Sequence, residues 1–323
     1  MRKKKKTRKN RIMEPPISLP VEETVAELAN SNKPPLNSRL ADLSNLNSAE
    51  LEAFEQAWVR IKPKRQRQIM SRLIELAEDN VELNFESILK NRLKDRDPEV
   101  RSRAIEGLWE CEETSLISPL VNLLEQDRSE KVQVAAATGL GKFAMLAEHK
   151  KLRSRHVSRV YQALLTTIDD KSKPIEVRRR ALEAAAPLSF PQVKEAIINA
   201  YQSRDAKLRV NAIYAMGRNC DYSWLPTLVK ELASDDAETR YEAAGACGEL
   251  EKEEAVLPLI RLTSDPDTDV RLAAIQALGK IGGTEAKEHL QYCLNDPGEV
   301  IQQAAEQALQ ELEARENPLP FRF

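Results

Sequence analysis

The chain has 323 residues with 49 Lys or Arg against 51 Asp or Glu, a formal net charge of −2, 10 glycines and 5% aromatic residues. Such a composition points to an all-helical protein and away from a β-rich one. No apolar run approaches the roughly 20 residues of a membrane span, and the basic start meets Glu14-Pro15-Pro16 where a secretory signal needs an apolar core, so a cytoplasmic protein is expected.

Residues 1–20 read as a basic disordered tail. Arg2, Lys3, Lys4, Lys5, Lys6, Arg8, Lys9 and Arg11 precede the first acid, Glu14, and leave the remainder of the chain acidic. A block of like charge at a terminus is either a solvated tail or an arm for an anionic surface; initiation at Met13 would remove it. Residues 21–82 read as an N-terminal helical lead-in that caps the repeats beyond it. Pro, Asn and Ser dominate up to residue 47 around one short helix at 21–29. Ser48 then suits the N-cap of a helix running to Ile61 and broken at Pro63, and residues 64–78 repeat an apolar face at Ile69, Leu73 and Leu76.

From Leu83 to residue 314 a two-helix unit recurs. Its second helix carries LRVNAIYAMG, TRYEAAGACG and VRLAAIQALG in three consecutive copies, whose Arg209, Arg240 and Arg271 lie 31 residues apart. Taking that arginine as position zero, seven copies place Arg101, Gln133, Arg178, Arg209, Arg240, Arg271 and Ile301 there, and each has alanine three residues later, from Ala104 to Ala304. A fixed period of this size is the mark of an α-solenoid. Asp-Pro at 97–98, 265–266 and 296–297 reads as N-cap plus first-turn proline. Gly141, Gly217, Gly248 and Gly279, late in the second helix, suit a close contact or a helix end.

These motifs resemble the HEAT-repeat family, in particular the short HEAT-like repeats of phycobilin lyases. The resemblance implies an all-α, right-handed solenoid of about seven stacked helix pairs with extra N-terminal helices, and second helices lining the concave side. The family resembled includes lyase subunits, a metal-dependent hydroxylase, DNA-repair glycosylases and non-catalytic scaffolds, so the fold leaves the activity open.

On a helical wheel, positions −1, +3, +4 and +7 form the stacking face, and position zero lies beside it. Arg101, Arg178, Arg209, Arg240 and Arg271 are therefore expected to form a structural ladder with the aspartates four residues earlier: Asp97, Asp205, Asp236 and Asp267. The opposite arc, +2, +5 and +9, is where the copies differ, and it holds five bases against six acids. A near-neutral groove suits a protein or peptide more than a phosphate backbone, which needs a basic stripe. The expected groove residues are Arg180, Glu183, Asn211, Tyr214, Arg218, Glu242 and Glu249, with Trp224 nearby.

One spacing, 45 residues between Gln133 and Arg178, is longer than the rest. The surplus is placed in a basic loop, HKKLRSRHVSR at 149–159, with Lys150, Lys151, Arg153, Arg155 and Arg159. It is either a solvated connection between two lengthened helices or, with the tail, a contact for nucleic acid or another anionic partner. Residues 315–323 form a C-terminal tail whose Pro-Leu-Pro-Phe-Arg-Phe either covers the last repeat or docks elsewhere.

No catalytic, cofactor-binding or metal-binding residue is expected. His149, His156 and His289 lack the following glutamate of the iron-binding His-Glu pairs in hydroxylases of this type. The glycines around Leu278–Thr284 close a helix and lack phosphate-loop spacing. Bilin-lyase activity carries no residue that transfers. Cys111, Cys220, Cys247 and Cys293, without Cys-x-x-Cys spacing, read as reduced thiols. The leading expectation is thus a scaffold that binds a protein partner; the next is an adaptor for nucleic acid.

Overall fold

A computed structural model describes residues 21–29 and 36–316; the basic tail at 1–20 and the segment 317–323 lie outside them. Among the described residues there are helices and no strands, as the composition implies. Contacts divide the chain at Leu108/Trp109 into two compact units.

The first unit contains α1 (Val21–Leu28), α2 (Asn37–Ala41), α3 (Ser48–Trp58), α4 (Pro63–Asp79), α5 (Glu86–Arg92) and α6 (Pro98–Gly107). Asn47, one residue before the expected cap, opens α3: its side chain accepts from the amides of Ala49 and Glu50, and Glu50 accepts in return from the Asn47 amide. This reciprocal capping box satisfies donors that Ser48 would have left open. The helix ends at Trp58, short of Ile61, and Pro63 starts α4, where a missing amide costs nothing. Residues 37–46 are part of the core, since Leu40 and Leu43 are fully buried. The short helix α1 is part of it too, with Val25 and Leu28 buried. The core gathers Phe54, Trp58, Ile69, Leu73 and Phe85, all nearly inaccessible to solvent.

The second unit stacks six helix pairs: α7 (Ile117–Gln126) with α8 (Glu130–Glu148), α9 (Ser154–Asp169) with α10 (Ile175–Ala185), α11 (Pro191–Tyr201) with α12 (Ala206–Asn219), α13 (Leu225–Glu231) with α14 (Ala237–Leu250), α15 (Val256–Leu262) with α16 (Thr268–Ile281), and α17 (Thr284–Cys293) with α18 (Glu299–Glu316). The pair α5/α6 has the same form and belongs to the first unit. The second helices pack on one another more closely than the first helices do.

Small residues explain that close packing. A Cβ on Gly217 would lie 2.6 Å from Ala246 Cα; on Gly248, 3.0 Å from Ala277 Cα; on Gly279, 2.7 Å from Ala308 Cβ. Each glycine is at +8 of one copy and each alanine at +6 of the next. These glycines therefore serve helix approach within the helix, and do not end it. The alanines at +3, Ala104, Ala136, Ala181, Ala212, Ala243 and Ala274, are all fully buried.

The last copy obeys the rule only when shifted by one residue. Ala305, and not Ala304, is fully buried, and Gln302, and not Ile301, stands at position zero. Its side-chain amide donates to the Asp296 carbonyl six residues earlier (2.6 Å), as Gln133 donates to Asp127. The 31-residue period thus continues, and Ile301 joins the buried −1 row with Val100, Val132, Val177, Leu208 and Val270.

Candidate partner-binding face

The arginine ladder exists with different partners from those expected. Asp97, Asp205, Asp236 and Asp267 are N-caps, each accepting backbone amides of the helix it opens. The capping oxygen is committed to its own helix end, and the second oxygen of Asp97 takes Arg67 (2.9 Å), not the arginine four residues on. The arginines instead reach back to the end of their own first helix. Arg101 donates to the carbonyls of Asp95 and Arg96, Arg178 to Ile168, Arg209 to Ser203 and Arg204, Arg240 to Ser234 and Asp235, and Arg271 to Thr263. A cation there satisfies orphan carbonyls and the negative end of the helix dipole.

Arg240 and Arg271 also cross to the next copy. Arg240 grips Asp265 with two bonds of 2.7 and 2.9 Å, and Arg271 binds Asp296 at 2.6 Å. The Asp-Pro pairs at 265–266 and 296–297 consequently precede their helices and do not cap them; Asp267 caps α16. Asp265 is held below the usual carboxylate range, chiefly by its bond to Arg240, and the Arg240 guanidinium is raised chiefly by the same bond. The bond from position zero back to the end of the first helix recurs with the period of the repeat.

The expected groove is narrower than a single-faced wheel implies. At about 100° per residue, +6 and +2 point toward the preceding second helix and +8 toward the following one. A helix inside an array is thus covered on three sides, leaving mainly +5 and +9 open. Asn211, at +2, is buried, and its Nδ2 donates to Glu183 Oε1 at 2.6 Å; Ala135 and Ala273, also at +2, are buried too. Asn211 is a spacer between α10 and α12 and leaves the set of exposed contacts. Trp224 is also buried, its Nε1 donating to Asn219 Oδ1 at 3.0 Å, and packs between repeats.

The open stripe has a depression over Gly245. In the +5 row Glu183, Tyr214, Gly245 and Gln276 follow one another across α10, α12, α14 and α16, and nothing lies within 4 Å of where a Gly245 Cβ would stand. The missing side chain leaves a cleft of about 230 Å³ lined by Tyr214, Arg218, Tyr241, Glu242, Glu249 and Lys280, among others. Four of the expected groove residues, Tyr214, Arg218, Glu242 and Glu249, are thereby brought together. Arg180 and Glu183 sit one repeat away as a pair (2.7 Å), with Arg180 also on Glu176 (3.0 Å).

The expected groove residues omit Tyr241 and Lys280. Tyr241 occupies +1, where neighbours tend to be covered, and it is open because Gly245 one turn on carries no side chain. Tyr214 and Tyr241 are 39% and 44% exposed. Glu249 holds both bases of the cleft, Arg218 at 3.5 Å and Lys280 at 2.5 Å. Glu242 is half-buried and has no hydrogen-bond or ion-pair partner among the described residues. Burial first, then the negative charges of Glu238 and Glu183, push its carboxyl up to about 6, against the opposing pull of Arg179.

The basic loop is corrected as well. α8 runs to Glu148 and α9 begins at Ser154, so the connection is five residues, and Arg155 and Arg159 lie in the first turns of α9. The surplus residues lengthen the two helices, as the plainer reading has it. Lys150 adopts a left-handed conformation (φ 60), and the Lys151 amide reaches the Leu146 carbonyl at 2.8 Å, closing α8 in a Schellman turn without glycine. Lys150, Lys151, Arg153, Arg155 and Arg159 are all exposed, with no carboxylate partner among the described residues. No helix of the described residues is long and apolar enough to cross a membrane.

Comparison with known proteins agrees on the architecture. The family model for HEAT repeats matches residues 86–170 and 225–310, more than half of the chain. Among solved structures, the complex of CpcE and CpcF of phycocyanin lyase from Nostoc sp. PCC7120 is similar at 19% identity and TM-score 0.50, over 70% of this chain and 87% of that one. An engineered protein (21% identity, TM-score 0.41, 91% of this chain and 88% of that one) and human deoxyhypusine hydroxylase in complex with glycerol (19%, 0.36, 91% and 97%) also match. No curated protein matches. At 19% identity the likeness to the lyase complex speaks for the helical fold alone, and the repeats themselves, with the family model that spans them, show that the chain belongs to the HEAT-repeat family.

Proposed function

We propose that the chain is a binding scaffold that holds a protein or peptide partner along the open +5/+9 stripe of α10, α12, α14 and α16. The observation that carries this reading is the cleft over Gly245. Two half-exposed tyrosines stand on a rigid row of helices, beside charges that are balanced overall. Rigid aromatic anchors around a depression are what protein interfaces use for most of their affinity, and helices joined by a glycine–alanine seam present them with little entropy to lose on binding. The test is affinity capture from the native cell with the wild-type chain and with a Tyr214→Ala/Tyr241→Ala variant. Proteins retained by the first and lost by the second, at unchanged thermal stability, support the reading; identical captures end it.

A second reading is favoured by the five exposed cations between Lys150 and Arg159, none with a carboxylate partner among the described residues: an adaptor that touches nucleic acid there. Such binding would fall steeply with salt, because each phosphate contact releases counterions. Charge reversal at Lys150, Lys151 and Arg153 is then expected to flatten that salt dependence; unchanged binding would reduce this segment to a spacer.

A further inference from the structure

The charges around the Gly245 cleft are not equally served. Arg218 and Lys280 share Glu249, and Arg180 is held by Glu176 and Glu183. Glu183 also takes the Asn211 amide. Glu242 alone among the charged cleft residues faces the depression without a hydrogen-bond or ion-pair partner among the described residues, half-buried, with Glu238 on its own helix and Glu183 on α10 adding negative potential that Arg179, itself paired with Glu176, only partly offsets. A carboxylate that has lost part of its hydration and gained no partner is a ready acceptor for a cation. The tyrosines supply the rest of such a site. Ring faces attract ammonium and guanidinium groups, and an apolar stem can lie against them while its charged head stays polar. An anion, by contrast, would meet Glu242 under the added negative potential of Glu238 and Glu183, while the cleft's bases, Arg218 and Lys280, are already held by Glu249.

We propose that the cleft over Gly245 receives one lysine or arginine side chain from an extended basic segment of a protein partner, its stem between Tyr214 and Tyr241 and its charge on Glu242. This rests on the scaffold reading and narrows it to a partner class. Gly245 is the specificity determinant, because any side chain there fills the space the stem needs. The site also has a pH signature. The groups facing Glu242 are Glu238 from α14, Arg179 and Glu183 from α10 and Tyr214 from α12. With the carboxyl pushed up to about 6, ionised Glu242 predominates at pH 7.5 and falls about tenfold by pH 5; affinity falls with it.

The experiment uses the full chain and heptapeptides Gly-Ser-Gly-Xaa-Gly-Ser-Gly with Xaa as Arg, Lys, norleucine or Glu. Binding is followed by the ring NMR signals of Tyr214 and Tyr241, assigned with Tyr214→Phe and Tyr241→Phe. The Arg and Lys peptides are expected to shift both rings saturably. Glu242→Gln is expected to weaken them at least tenfold and Gly245→Gln to abolish the shifts, with the helical signal and melting of each variant retained. Norleucine binding as tight as lysine, a Glu242→Gln affinity within twofold of wild type, or no shift with any peptide would each overturn the proposal. Binding of the norleucine or Glu peptide alone would overturn the cation assignment while leaving a peptide-binding face, whereas failure of the scaffold reading appears separately, as captures indifferent to Tyr214→Ala/Tyr241→Ala.

Discussion

The two units solve helix packing in opposite ways. In the first, the centre is a set of contacts made once: Phe54 and Trp58 stack with ring centroids 5.4 Å apart, Arg92 lies 5.0 Å over Trp58, and its guanidinium pairs with Glu55 and Asp95 while Trp58 Nε1 donates to Asp95 at 2.8 Å. In the second, one contact is made repeatedly, glycine at +8 against alanine at +6. A single assembly concentrates free energy in a few side chains, whereas a repeated seam distributes it and leaves one stripe of each helix free to vary.

The sharpest way to break this comparison is to remove the centre of the first unit. Arg92→Ala strands Glu55 and the nearly buried Asp95 without a counter-charge and takes a cation from the face of Trp58. The expected loss is about 3–5 kcal/mol, read as a large drop in chemical-denaturation midpoint. A change below about 1 kcal/mol would mean that the arginine only decorates the aromatic pair.

The seam gives the next largest effect. In Gly217→Ala the new methyl meets Ala246 backbone at 2.6 Å, so α12 and α14 must part, at about 1–3 kcal/mol. Gly141→Ala is the control, because its Cβ would sit at an ordinary 3.4 Å from Ala184. Equal melting shifts for the two would show that the seam is looser than its geometry.

The ladder adds a pH-dependent contribution of similar or smaller size. Asp265 is depressed in the folded state, so its pairing with Arg240 stabilises above the unfolded carboxylate pKa of about 3.9 and is lost as pH falls through the lower folded value. Asp265→Asn is therefore expected to cost roughly 1.5–3 kcal/mol at pH 7 and progressively less below pH about 4. A pH-independent difference would assign the cost to packing.

These cases show what a sequence can carry. The period, the alanine at +3 and the gathering of Tyr214, Arg218, Glu242 and Glu249 are legible because each repeats, or varies, in step with a helix turn. The register of α18 is not, because alanine occupies both 304 and 305 and either satisfies the pattern. Asn211 falls on the wrong side because a wheel treats a helix as having one covered side, while an array covers three. The partners of Arg240 and Arg271 lie 25 residues onward, in the loop before the next second helix, so nothing within their own helix reveals them. The first unit ahead of α5, built from contacts that occur once, offers no period to read. Hence the docking of residues 37–46 is invisible in the sequence.

Glu242 brings the comparison to the open stripe. Its folded carboxyl, at about 6, stands above the ordinary glutamate value of 4.5, so its contribution is full below pH 4.5 and is lost as pH rises through 6. Glu242→Gln removes that penalty, and because the group is partly hydrated the gain at pH 7.5 is about 1 kcal/mol or less, seen as a small rise in Tm that disappears near pH 4.5. A variant that melts higher yet no longer takes a cation would show a binding residue kept at the expense of stability.

The smallest effect is the most discriminating, since it uses the same substitution as the seam. Gly245 is a helical glycine like Gly217, but nothing surrounds its Cβ position. Gly245→Ala gains helix propensity without a clash and is expected to stabilise by about 0.5–1 kcal/mol, where Gly217→Ala destabilises. Opposite signs for one chemical change in neighbouring helices would separate glycine kept for packing from glycine kept for open space. Helix stability gives no reason to retain glycine at 245; the cleft does. Were Gly245→Ala destabilising, the space above it would be filled by another part of the chain, and the binding face would have to be sought elsewhere on the stripe.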